Sequence, residues 1–197
     1  MTTNRWRQKL LAFLHDPPCK ALDIANHEET ARSFRRRAGI DHEEYQAFAR
    51  ACDHTAAAAD RFPFPGSTAS GIKARFAGDK YTPFRHPLGG GDLVFESPLP
   101  SAALAEKKFE DAEGGIPYDI EADTPEEADR IRFFLYWRRW PEVAALQDRR
   151  LAYLPADTRM PDHTIWCHMA LTSAFQGCVT DGRLQPAFLL VQLGPVQ

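Results

Sequence analysis

Several absences narrow the possibilities first. No apolar run in the 197 residues approaches the ~18 to 20 positions that a membrane-crossing helix needs, and Met1-Thr2-Thr3-Asn4-Arg5-Trp6-Arg7 leads into no signal-peptide core. The expectation is a soluble, cytoplasmic chain. Cysteine is sparse. Cys19, Cys52, Cys167 and Cys178 form no C-x-x-C pair, which argues against a zinc knuckle or redox motif and leaves reduced thiols as the default. Neither charge is in large excess: 24 Lys+Arg against 27 Asp+Glu give a net charge of -3, too little for non-specific duplex binding across the whole surface. No internal repeat or low-complexity tract is visible. With 44% hydrophobic and 26% charged residues the composition excludes disorder and fibrous structure, and the length suits one domain or a domain with an insertion.

What is present is unevenly distributed. Residues 1–37 carry eight Lys/Arg against four acids, whereas residues 106–129 carry ten acids against two lysines. Residues 63–125 hold 16 of the 27 Gly and Pro, which predicts an insertion of loops and short strands between two helical parts. Trp6, Leu10, Phe13 and Leu14 share a helical face that Pro17-Pro18 terminates. A second helix is predicted from Asn26, with Glu29 completing a capping box, to Gly39; a third starts at Asp41 with stripe Tyr45, Phe48, Cys52, Ala56 and Ala59. Thr124-Pro125-Glu126-Glu127 opens a fourth, with Ile131, Phe134, Leu135 and the stem of Arg138 on its apolar face and Pro141 ending it or opening a successor. A last helix is predicted from about Asp162 through Ile165, Met169 and Thr172 to Gly177. The apolar run 187–193 has strand length and no partner strand nearby, as if it began a further domain.

Four of the seven histidines adjoin an aspartate: His15-Asp16, Asp41-His42, Asp53-His54 and Asp162-His163. Imidazole and carboxylate both bind divalent metals, and such a cluster can generate hydroxide from water near neutral pH. For Asp41-His42 an N-cap aspartate beside a solvated histidine is the simpler reading. His15-Asp16 differs, because a carboxylate at a helix C-terminus opposes the dipole and calls for a cation, either a metal or Lys20. Asp53 falls mid-helix among small residues, and His168 falls on or beside a buried stripe. Each alone is equally well a satisfied core polar group; three helices contributing one each is the stronger signal.

Four ordered stretches carry a resemblance: Leu14-His15-Asp16-Pro17-Pro18-Cys19-Lys20 with His27-Glu28; Asp53-His54 through Asp60-Arg61-Phe62-Pro63; Leu154-Pro155-Ala156-Asp157 through Asp162-His163-Thr164-Ile165-Trp166-Cys167-His168; and Leu193-Gly194-Pro195-Val196-Gln197. Together they resemble the amino-terminal part of the large subunit of type III CRISPR interference complexes, in its Cmr-type (subtype B) form. The resemblance implies a mainly α fold: a permuted HD-domain helical bundle over residues 1–182, an irregular insertion at about 63–123, and residues 183–197 as the first strand of a truncated palm-like domain. It implies His15 and Asp16 as the His-Asp dyad, Asp53 as the last Asp and His168 as the displaced first His of a metal site. Lys20 would contact a phosphate oxygen, and His27, His54 and His163 are candidates for a second metal or for proton transfer.

The implied activity is metal-dependent cleavage of single-stranded DNA, using Mn²⁺, Ni²⁺, Co²⁺ or Mg²⁺, within a guide-RNA complex with the other type III subunits. Palm domains of the full-length family bear a Gly-Gly-Asp-Asp motif; Gly89-Gly90-Gly91-Asp92 lies in the insertion, lacks the second acid and reads as a turn. Cys167 stands where relatives have an acid before the ligand histidine, and Thr55 replaces an aliphatic residue. Arg5, Arg7, Lys9 and Arg35, Arg36 and Arg37, with Trp6 and Phe34 interleaved, can track the backbone of a strand and stack its bases; for Arg35, Arg36 and Arg37 a solvated helix end favoured by the dipole is an equal reading. Two other functions fit: a structural module with a vestigial pocket that docks through its acidic middle segment, and a stand-alone nucleotide phosphohydrolase.

Overall fold

The computed structural model describes residues 4–40, 50–60, 84–85, 92–93, 97–117, 119–156, 163–187 and 189. The fold is mainly helical. Asn4 opens α1 (Arg5–Phe13), accepting a hydrogen bond from the Trp6 amide at 3.0 Å, and the helix buries Leu10, Leu11, Ala12 and Phe13. Helix α2 (His27–Arg37) ends where the sequence indicates. Gly39 takes φ +74°, a conformation a side chain disfavours, so the Gly39 amide reaches the Arg36 carbonyl and the Ile40 amide the Arg35 carbonyl. This paired closure seats Ile40 in the core. The other end departs from expectation. Asn26 makes no capping bond to α2; its amide side chain instead bonds Asp23 at 2.8 Å.

Helix α3 (Arg50–Asp60) buries Cys52 and Ala56. The predicted start at Asp41, with Tyr45 and Phe48, lies outside the described residues. The Gly/Pro-rich middle contains the short antiparallel pair β1 (Phe84–Arg85) and β2 (Asp92–Leu93), but it also contains a full helix, α4 (Ala102–Glu113). Ser101 caps α4 by accepting from the Leu104 amide, and Ala105, Phe109 and Ala112 form a buried stripe of helical period. The reading of this segment as loops and strands alone is thereby corrected.

Thr124 caps α5 (Pro125–Phe134), with Pro125 in the first turn as expected. A π-helical turn (Leu135–Arg139) joins it to α6 (Trp140–Gln147), so Pro141 opens the successor. The inward stripe is Phe133, Tyr136 and Trp140; Phe134 and Arg138 face outward, which corrects the predicted face. Helix α7 (Ile165–Gln176) follows an N-cap at Thr164, and its end leads into β3 (Val179–Thr180) and β4 (Arg183–Leu184). The strand predicted over 187–193 falls largely outside the described residues.

Packing follows from these faces. Helices α1 and α3 both lie against α7, α1 also rests on α5, and α4 rests on α6. Ser173 Oγ donates to the Lys9 carbonyl at 2.8 Å, tying α7 to α1. Trp140 is fully buried, with ring centroids of Phe34 and Trp166 at 5.1 and 5.5 Å, and its indole N–H donates to the Phe109 carbonyl at 2.9 Å. One ring thus joins α2, α4, α6 and α7, while its polar atom stays satisfied. Among the described residues no helix is long and apolar enough to cross a membrane.

Candidate metal centre

Helix α1 ends at Phe13, and the next residues to leave it are Leu14, His15 and Asp16, all buried. Pro17 and Pro18 cannot continue the helix, so the chain turns away and a short 3-10 segment (Lys20–Leu22) follows. That turn places Lys20 Nζ 2.5 Å from Asp16 Oδ2. Asp53 comes from α3 and His168 from the first half of α7. His15 Nε2 then lies 3.2 Å from His168 Nε2, 3.3 Å from Asp16 Oδ2 and 3.5 Å from Asp53 Oδ1. His168 Nε2 lies 3.1 Å from Asp53 Oδ1 and 3.9 Å from Asp16 Oδ2. Four polar groups from three separate parts of the chain share one small space.

The electrostatics of that space call for a cation. His15 Nδ1 sits 2.7 Å from the Ala12 carbonyl, which can only accept, so this nitrogen carries the hydrogen and Nε2 turns toward His168 and the carboxylates. His168 Nε2 faces Asp53 Oδ1 at 3.1 Å, an acceptor, so in the metal-free protein that nitrogen donates, and two carboxylates beside two imidazoles favour positive charge among them. Without a metal a proton serves. Burial disfavours the cationic ring, but the Asp16 charge and hydrogen bonds to Asp16 and Asp53 outweigh it and push His15 up to about 9. Burial likewise opposes the charge on Asp16, yet His15 and Lys20 hold its carboxyl well below the usual range. Burial also opposes the charge on Asp53, which hydrogen bonds to His15 and His168 keep depressed.

The residues fit a divalent ion on their own chemistry. His15, Asp16 and His168 offer donor atoms within 4.8 Å of one another. Ligands at ~2.1 Å from a common ion stand roughly 3.0 to 3.4 Å apart in octahedral or tetrahedral order, which most of the measured separations approach. Two imidazoles with carboxylates suit a borderline transition ion better than a purely oxygen-seeking one. The hydrogen bond from His15 Nδ1 to Ala12 is the outer contact that fixes tautomer and ring plane at such centres.

The other residues singled out from sequence are placed differently. His163 neighbours the cluster, its ring centroid 6.4 Å from that of His168. His27 begins α2 with Nδ1 2.6 Å from the Ile24 carbonyl, a local contact, and His54 is exposed on α3. Cys167 is also exposed, its sulfur accepting from Thr164 Oγ1 at 3.3 Å. The three arginines diverge. Arg36 is exposed, whereas Arg37 pairs with Glu113 at 2.5 Å and Glu110 at 3.1 Å. Arg35 is buried and donates to the Leu14 and His15 carbonyls at 3.0 and 3.2 Å, so it is not an exposed cation for a nucleic acid strand. Its role was missed, although its position beside Ala31, Phe34 and Ala38 puts it on the buried stripe of α2.

A mainly helical chain that brings donor atoms of His15, Asp16 and His168 within 4.8 Å of one another, with Asp53 beside the two histidines, defines a class of candidate metal-binding proteins. No family model matches the chain. It is 26% identical, over 233 aligned positions, to the CRISPR system Cmr subunit Cmr2 of Pyrococcus furiosus, an alignment that takes in 97% of this chain and 26% of that protein. The chain is therefore Cmr2-like, a distant relative that spans about a quarter of the length of the subunit it matches.

Proposed function

We propose that this chain is a metal-dependent phosphodiesterase domain of the HD type, cutting single-stranded DNA as part of a type III CRISPR ribonucleoprotein with its guide RNA and other subunits. The convergence of His15, Asp16, Asp53 and His168 carries the reading, and the Cmr2-like relationship gives it its biological setting. A divalent ion held by these four residues would supply Lewis acidity toward the phosphate and a water nucleophile at neutral pH. The protein supplies the rest. Ala12 and Asp16 fix the His15 ring, and Asp53, a third exposed at its side chain, marks the side from which a phosphate enters. Lys20, anchored on Asp16 at the rim, offsets charge on a non-bridging oxygen. His163 is placed to move a proton to the leaving group or to join a second ion.

Incubation of labelled single-stranded DNA with the protein and Mn²⁺, Co²⁺, Ni²⁺ or Mg²⁺ tests this reading. Cleavage is expected with at least one ion and is expected to vanish in the His15→Ala/Asp16→Ala variant. A variant that cuts as well as the parent removes the proposal, and the domain is then a structural module.

A further inference from the structure

Away from the metal centre, the π-helical turn between α5 and α6 creates a second chemically distinct surface. Because Phe133, Tyr136 and Trp140 point inward, Phe134 and Trp137 are left outside, 45% and 42% exposed. They line an open hollow of about 520 Å³ with Arg130, Arg138, Arg139 and Glu142. Three guanidinium groups against the carboxylates of Glu142 and neighbouring Glu127 leave this rim positive by one charge in a chain whose net charge is -3. Trp137 lies nearly parallel to buried Phe133, at 11° with ring centroids 6.4 Å apart. Arg138 pairs with Glu142 and Arg130 with Glu127, but these pairs are largely solvent-exposed. Such pairs contribute little and exchange readily for a phosphate.

We propose that this hollow is a stacking platform for single-stranded DNA, with a base stacked on Trp137, its edge against Phe134, whose ring stands at 73° to that of Trp137, and the flanking phosphates on Arg130, Arg138 and Arg139. An apolar side chain of a partner protein also fills the hollow but gives the arginines no acceptor; a nucleotide satisfies both. The choice of a strand rests on the nuclease reading, and the platform deepens it. Trp6, whose ring meets Phe134 at 5.5 Å, lies in the first turn of the helix that leads to the metal centre. Seven residue steps along α1 lead from Trp6 to Phe13, roughly 10 Å at the helical rise, and His15 follows two residues on.

Fluorescence polarisation of labelled oligo-dT and oligo-rU in EDTA, where cleavage is blocked, tests the platform on the full chain. Binding is expected to weaken on the order of tenfold in Trp137→Ala, to be restored in Trp137→Phe, and to weaken in Arg139→Ala. Oligo-dT is expected to bind more tightly than oligo-rU, and tighter binding of oligo-rU overturns the assignment of the platform to DNA. Leu104→Ala, an exposed side chain outside both the hollow and the metal centre, is expected to bind as the parent does. Equal binding by parent and Trp137→Ala overturns the platform, even where the parent cleaves DNA. So does concentration-dependent dimerisation that Trp137→Ala abolishes, which assigns the hollow to a second copy. Trp137-dependent binding by a protein that cleaves nothing upholds the platform and removes the nuclease reading instead.

Discussion

His15 Nε2 and His168 Nε2 stand 3.2 Å apart although 153 positions separate them in the chain. The contact closes the bundle, since His15 terminates α1 and His168 belongs to α7, the helix that both α1 and α3 pack against. It also sets both rings beside the carboxylates of Asp16 and Asp53, which favour a protonated His15 and tie the stability of the metal-free protein to pH.

In the metal-free protein the positive charge is a proton on His15. A folded pKa of about 9 against an unfolded value near 6.5 gives stability fully present below pH 6.5 and lost as pH rises through 9. Thermal unfolding in EDTA is therefore expected at progressively lower temperature from pH 6.5 to 9, and a His15→Gln variant should lose this slope. The same proton competes with a metal, so divalent-ion affinity measured by calorimetry should rise with pH over that window.

Arg35 fastens the turn that presents the dyad. Removing its guanidinium leaves the Leu14 and His15 carbonyls, buried at the end of α1, without their donor. Arg35→Met is expected to cost about 1.5 to 3 kcal/mol in urea unfolding and, by loosening His15, to weaken metal binding roughly tenfold or more. A variant that loses stability but binds metal unchanged would separate the brace from the site.

Trp140 is the largest fully buried side chain among the described residues. It is fully buried, and its ring meets those of Phe34, Tyr136, Phe109 and Trp166. Trp140→Ala is expected to destabilise by about 3 to 5 kcal/mol. Trp140→Phe should cost less, although it leaves the Phe109 carbonyl without its donor; denaturant midpoints of the two variants check the order.

Local signals made much of this structure readable from the chain itself. Pro17-Pro18 after an apolar face, Gly39 at a helix end and Thr124-Pro125 at a helix start each act through their own backbone, so tertiary context did not override them. His15-Asp16 was conspicuous because an acid at a helix C-terminus needs a compensating charge, which Lys20 supplies in the fold. Helix α4 was hidden because Gly and Pro crowd its flanks, although Ser101, Ala105, Phe109 and Ala112 carry its cap and period. The face of α5 was misread because apolar residues occupy two adjacent stripes, and only packing around Trp140 selects Phe133 and Tyr136 over Ile131 and Phe134. Arg35 was grouped with Arg36 and Arg37 as one basic run, yet successive helical positions face different ways and only Arg36 is fully exposed.

Calorimetric titration of the metal-stripped protein with Mn²⁺ or Co²⁺, beside His168→Ala and Asp16→Ala, measures the shared centre most directly. Saturable binding by the parent that both variants lose, despite their changes lying at opposite ends of the chain, is the expected result. Binding that survives either substitution at the parent's affinity would contradict a single site built by His15, Asp16, Asp53 and His168.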